Sequence, residues 1–89
     1  MNLVFSEQAW EDFLWWSSPG NETGLEKVKD LIKGTKRMPF KGIGKPEPLK
    51  GDLSGWWSRR ITGEHRFVYR VSGKGDAQSL EIAQLRYHY

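Results

Sequence analysis

The strongest constraint on the fold is a block of chain breakers in the middle of the sequence. Residues 35–51 contain Pro39, Pro46 and Pro48 together with Gly42, Gly44 and Gly51. Prolines fix φ and remove backbone donors, and glycines favour turns, so this stretch cannot hold regular structure for long. It separates two kinds of pattern. Before it, Ala9, Trp10, Phe13, Leu14 and Trp16, then Leu25, Val28, Leu31 and Ile32, recur at helical spacing. After it, residues 53–62, 65–71 and 79–86 read as strands, with a hairpin turn at Gly63-Glu64 and a looser turn over 72–78. A short β-favouring run at 2–5 opens the chain. Ser6 is placed to cap the first helix. Thr23 with Glu26 makes a capping-box pattern for the second helix, and Gly34 is read as its C-cap. The order of strand, two helices and antiparallel meander specifies an α+β fold with the helices on one sheet face. At 89 residues the chain has room for one domain, 1–89.

A domain of this size has a thin core, which five Trp, four Phe and three Tyr must largely fill. Trp56 and Trp57 are adjacent on a strand, so they cannot share a face; one is expected inside and the other exposed or at an interface. The absence of cysteine excludes disulfides, thiolate zinc sites and a thiol nucleophile. With His65 and His88 alone, no histidine-rich metal site is expected. The opening residues lack a basic start followed by an apolar core, and no apolar run approaches the ~20 residues of a membrane helix. A soluble intracellular protein is therefore expected. Gly42-Ile43-Gly44-Lys45 is not a phosphate loop, because it lacks the wide spacing and Pro46 stands where the magnesium-binding hydroxyl belongs.

The net charge of +3 conceals an asymmetry. Residues 1–32 carry six acids against two lysines, a net −4; residues 33–70 carry ten bases against three acids, a net +7; the remainder balances. A polyanion is the natural partner of such a middle segment.

Metal-free RNA cleavage needs a base for the 2′-hydroxyl, an acid for the departing 5′-oxygen, and cations around the phosphorane. The sequence holds candidates for each. Glu47 lies in the basic loop between Lys45 and Lys50. Arg59, Arg60 and Arg66 lie on two strands joined by a tight turn, and Arg66, Val68 and Arg70 share one strand face. His88 stands between Tyr87 and Tyr89. Each residue also has a purely structural explanation. Glu47 offsets its lysine neighbours, Arg66 and Arg70 form the solvent side of a strand, and His88 is a terminal residue. The two tyrosines serve either as packing groups or as stacking platforms for bases. Singly, none identifies an enzyme.

In combination they resemble the YoeB (Txe) toxins of the RelE superfamily. The likeness runs through Phe5-Ser6-Glu7 with Trp10, then Pro39-Phe40, Gly42, Gly44 and Lys45-Pro46-Glu47-Pro48-Leu49-Lys50. It continues through Leu53-Ser54-Gly55-Trp56-Trp57-Ser58-Arg59-Arg60-Ile61, Glu64-His65-Arg66 with Val68-Tyr69, and Arg86-Tyr87-His88-Tyr89. The resemblance implies a compact RelE-like α+β domain acting as a ribosome-dependent endoribonuclease that cuts mRNA in the A site. By position it implies Glu47 as general base, His88 as general acid and Arg66 as phosphate stabiliser. Lys50 and Arg60 become supporting contacts and Tyr89 a positioning group, with Lys45, Arg59 and Tyr87 also facing RNA. It implies no cofactor, a cytoplasmic location, a cognate antitoxin, the ribosome (16S rRNA and mRNA) as partner, and a homodimer. The alternative is a non-catalytic module that blocks the A site. Three features depart from the family pattern: the connection 17–24 is longer by about a residue and more Gly/Ser/Pro-like, the second helix opens with Thr23, Gly24 and Glu26 where relatives are more basic, and the turn 72–78 is longer.

Overall fold

The computed structural model describes residues 1–88; the role expected of Tyr89 lies outside them. Strand β1 (Asn2–Phe5) is followed by helices α1 (Glu7–Trp16) and α2 (Glu22–Arg37), then by β2 (Glu47–Pro48), β3 (Trp57–Arg60), β4 (Arg66–Ser72) and β5 (Ser79–Gln84). The sheet order is β1-β5-β4-β3-β2. β1 runs parallel to β5, with Phe5 opposite Ile82, and the other pairings are antiparallel. One core joins the helices to one sheet face. Ala9, Trp16, Val28, Leu31 and Ile32 pack against Phe67, Tyr69, Leu80, Ile82 and Leu85. The expected α+β architecture is the observed one.

Ser6 caps α1 as its sequence position suggests. Its hydroxyl accepts from the Ala9 amide at 3.0 Å and donates to the Ala83 carbonyl at 2.7 Å. The boundaries of α2 differ from expectation at both ends. The helix starts at Glu22 after Asn21, so Thr23 lies in its first turn and does not cap it. Glu22 instead accepts from the Gly20 amide. The helix also runs past Gly34 to Arg37. The Met38 amide still donates to the Gly34 carbonyl at 2.9 Å, and Thr35 is buried with its hydroxyl donating to the Leu31 carbonyl at 2.7 Å. The actual stop is Pro39, which pushes the preceding residue out of the α region; Met38 has φ −141° and ψ 87°.

β1 matches expectation and β4 keeps the expected length one residue further on, but β3 and β5 are shorter than the pattern suggests. The start of 53–62 is folded into a 3₁₀ turn at Gly51–Leu53, and β3 keeps only Trp57–Arg60. Neither tryptophan is fully in or out. Trp57 packs against the core and Phe40, while Trp56 lies under the Arg70 guanidinium at 4.5 Å. β5 ends at Gln84 and carries a bulge just before that end. Tyr69 pairs with Ile82 but Val68 pairs with Gln84, leaving Ala83 as the extra residue. The bulge turns Gln84 to the face away from the helices and lets Leu85 re-enter the core.

Candidate active site

The sheet register places the charged candidates. Glu47 is opposite Ser58, Ser58 is opposite Val68, and Arg60 is opposite Arg66. Cross-strand partners share a face, as do residues two apart in one strand. Glu47, Ser58, Arg60, Arg66 and Val68 therefore occupy one side of the sheet, opposite the core face of Phe67 and Tyr69. Ser58 and Val68 are buried in the middle of this face, and Arg60 and Glu47 are exposed at its rim. Glu47 and Arg66 are two strands and two residues apart, about 12 Å between Cα atoms, so long side chains from both can meet a group held between them. Lys50 is exposed just beyond β2. Arg70, farther along the same face, is engaged by Glu81 at 2.8 Å. Bonds from Ser72 and then Arg70 hold the Glu81 carboxyl below its usual range.

Arg66 is half-buried. Its Nη1 donates to the carbonyls of Thr62 at 2.8 Å, His65 at 3.1 Å and Gly63 at 3.3 Å. The guanidinium is thus anchored to the β3–β4 turn by one nitrogen, and Nε and Nη2 make no bond among the described residues.

Arg59 behaves differently from its neighbour and corrects the expectation of an RNA contact. It is fully buried. Its Nε donates to the Tyr69 hydroxyl at 3.1 Å, Nη1 to the Ile43 carbonyl at 3.1 Å, and Nη2 to the carbonyls of Met38 at 2.6 Å and Lys41 at 2.9 Å. Burial raises the Tyr69 phenol, with Arg59 opposing that shift, and the phenol donates to the Pro39 carbonyl at 2.6 Å. Arg59 is the clamp of the 38–43 loop and has no face to offer RNA. Beyond the clamp, the Gly44 carbonyl accepts from the Arg60 amide at 2.7 Å. Gly44 has φ +81°, and a Cβ there would lie 2.6 Å from Leu31 Cδ2 and 3.2 Å from the Arg60 carbonyl, so only glycine permits this approach. Lys45, Arg60 and Lys27 then line one cleft of about 330 Å³ with Gly44, Thr62 and Gly63. Lys27 is an addition that sequence reasoning missed.

The last described residues are tied down by α1. Asp12, buried, accepts from the Leu85 amide at 2.9 Å, and Trp16 Nε1 donates to the Leu85 carbonyl at 2.8 Å. Arg86 stacks over Trp15 at 3.9 Å and its Nη2 donates to the Tyr87 hydroxyl at 2.8 Å. Tyr87 has φ +61° and is 56% exposed. Its amide donates to His65 Nδ1 at 2.8 Å and its carbonyl accepts from the Arg66 amide at 3.2 Å. His88, exposed, therefore follows directly from the backbone pairing at Arg66. The sequence assigned no role to Asp12, His65 or Arg86, and Trp16 was read only as part of an apolar stripe. Nothing in a lone acid or a lone histidine signals a contact 73 or 22 residues away along the chain.

The fold thus brings Glu47, Arg60 and Arg66 to one face and the Tyr87–His88 backbone to its border. Among the described residues no cluster of three His, Cys, Asp or Glu side chains is placed to hold a metal ion, and no helix is long and apolar enough to cross a membrane. Such a face carries a carboxylate, which can accept a proton, and guanidinium groups, which can hold an anion.

The chain and its fold are similar to known proteins. Residues 5–89 match the family model of the YoeB-like toxin of bacterial type II toxin–antitoxin systems. The toxin YoeB of Escherichia coli (strain K12) is 53% identical over 89 residues, covering all of both chains. A YoeB/ParE toxin structure from Agrobacterium tumefaciens superposes with a TM-score of 0.93 at 56% identity, again over all of both chains. The Staphylococcus aureus YoeB dimer and YoeB–YefM complex superpose with TM-scores of 0.86 and 0.85 at 40% and 42% identity, over all of this chain and 98% of theirs.

Proposed function

The chain belongs to the YoeB-like toxins of bacterial type II toxin–antitoxin systems, and we propose that it is a ribosome-dependent endoribonuclease cutting mRNA in the A site without a metal. The observation that supports this most is the shared sheet face of Glu47 and Arg66, bordered by the backbone that leads into His88. In this reading the Glu47 carboxylate takes the proton from a ribose 2′-hydroxyl. The 2′-oxygen forms a bond to the adjacent phosphorus. Arg66, with Lys50 and Arg60, carries the charge of the phosphorane. The bond from phosphorus to the 5′-oxygen then breaks, and His88 delivers a proton to that oxygen. The products are a 2′,3′-cyclic phosphate and a 5′-hydroxyl. Tyr87 and Tyr89 are assigned to base stacking and substrate positioning. Lys45 joins the phosphate-facing set.

The small fold supplies few substrate contacts of its own, so the ribosome provides the orientation. The compartment is the cytoplasm, where ribosomes work. A cognate antitoxin partner follows by analogy with the Staphylococcus aureus YoeB–YefM complex, and a homodimer by analogy with the YoeB dimer of the same organism.

The test uses ribosomes programmed with a defined message and primer extension to map new 5′ ends. Wild type should create 5′ ends within the A-site codon. Glu47→Ala and His88→Gln should bind ribosomes yet leave the message whole, and a 2′-deoxyribose at the cut site should bind and stay intact. Intact message with wild-type protein, at full ribosome occupancy, would instead mean occlusion of the A site.

A further inference from the structure

We propose that His65 is a positioning residue for His88: its Nδ1 lone pair holds the Tyr87 amide, and that tether fixes the turn that brings His88 beside Arg66. The proposal rests on the reading of His88 as the general acid, given above.

His65 is buried at 6% exposure. Its ring packs against Trp16 at 5.2 Å, Tyr87 at 5.3 Å and Trp15 at 5.7 Å between centroids. It is held by its own turn as well. Thr62 Oγ1 accepts from the His65 amide at 3.1 Å, and the His65 carbonyl accepts from the Ile61 amide at 3.0 Å. The imidazole thus has a fixed place and a fixed orientation. Because Nδ1 accepts from Tyr87 at 2.8 Å, it carries no proton. The neutral ring keeps its hydrogen on Nε2, which faces Glu64 Oε1 at 3.4 Å.

The residue it holds needs holding. Tyr87 sits in the left-handed region at φ +61°, which L side chains rarely adopt. Both of its backbone polar groups are claimed by the β3–β4 turn and the start of β4. The amide goes to His65 and the carbonyl accepts from Arg66 at 3.2 Å. Gln84 Nε2 adds a bond to the Arg86 carbonyl at 3.0 Å. His65 and Arg66 are consecutive, so one turn sets both the phosphate-facing guanidinium and the approach of the chain to His88. A histidine serving only as apolar filler between tryptophans would be replaced equally well by phenylalanine. A tether would not.

The test compares His65→Phe, His65→Gln and His65→Asn. Asparagine can place its Oδ1 near the Nδ1 position; phenylalanine has no acceptor, and glutamine places its amide near the Nε2 position. Amide exchange of the free protein is read first, since it needs no cleavage. In wild type the Tyr87 amide should be protected. Phe and Gln should speed its exchange at least ~10-fold with Phe67 and Tyr69 still protected, and Asn should not. Single-turnover cleavage on programmed ribosomes is read second. Phe and Gln should slow it about 100-fold at unchanged ribosome affinity, and Asn should recover most of the rate. A Tyr87 amide exchanging at the free-chain rate in wild type overturns the tether, whether or not the protein cuts RNA. Wild-type cleavage by either folded variant lacking the acceptor overturns the positioning role while leaving the ribonuclease reading intact. Failure of wild type to cut, with the Tyr87 amide protected, refutes the ribonuclease reading, and with it the proposed role, but not the tether.

Discussion

Replacing Arg59 with methionine should destabilise the protein by about 3 kcal/mol and release the 38–43 loop. The guanidinium makes four hydrogen bonds, to the Tyr69 hydroxyl and to the carbonyls of Ile43, Met38 and Lys41. Bonds to a charged group contribute roughly 1.5–3 kcal/mol each, so the gross loss is roughly 6–12 kcal/mol. Removing the cation also removes the cost of burying it, several kcal/mol, and Met38, Lys41 and Ile43 are exposed enough for water to reach their freed carbonyls. The balance is about 3 kcal/mol. In a chain of this length that is a fall in the thermal midpoint of roughly 12–24 °C. Circular dichroism melting measures it, and amide exchange should show 38–43 loosening beyond the global change. A midpoint within about 4 °C of wild type would refute the reasoning, because it would mean that the clamp contributes little. Such a variant should also lose the docking of Gly44 on Arg60, which sets the path of the chain into Glu47.

Three further outcomes follow from the packing. A Cβ at Gly24 would overlap the Trp16 ring, which is pinned through Nε1 to Leu85, so Gly24→Ala should cost about 2 kcal/mol in urea unfolding despite alanine's better helix propensity; stabilisation would contradict this. Asp12→Ala leaves the buried Leu85 amide without its acceptor and should cost about 1–3 kcal/mol, with faster exchange at Leu85 as the local signature. Glu81 has its carboxyl held below an ordinary value near 4.5 by Ser72 and Arg70, so its contribution is present above that value and is lost as pH falls through the lowered one. Glu81→Gln should therefore flatten the acid limb of a stability–pH curve below about pH 5, measured by urea midpoints; an unchanged acid limb would show that this carboxylate is not the source.

The helices were legible in the sequence because their periods are strong, and Ser6 carried its own signal. The ends of α2 were not, because local rules competed with tertiary ones. Gly34 has the composition of a helix terminus, but the helix runs on past a buried Thr35 until Pro39 stops it. In the site, the sequence pattern assigned both Arg59 and Arg60 to RNA. It did not say which one faces inward; that is set by the pairing of Arg59 with Phe67 and of Arg60 with Arg66. The ties from α1 to Leu85 and from His65 to Tyr87 are long-range contacts between unremarkable residues, and no window of sequence contains both partners. The parallel pairing of β1 with β5 was hidden for the same reason.

The bulge at Ala83 gives part of the chain a counting rule. Without that extra residue the strand would keep its regular alternation, Gln84 would turn inward, and Leu85 would leave the grip of Asp12 and Trp16. A one-residue deletion between Ile82 and Leu85 should thus disconnect the chain beyond it, even if every remaining side chain were ideal. The exposed turn at Gly75–Ala77 obeys no such arithmetic, and insertions there leave the downstream parity untouched. Over those few positions, heredity must preserve a number as strictly as a set of amino acids.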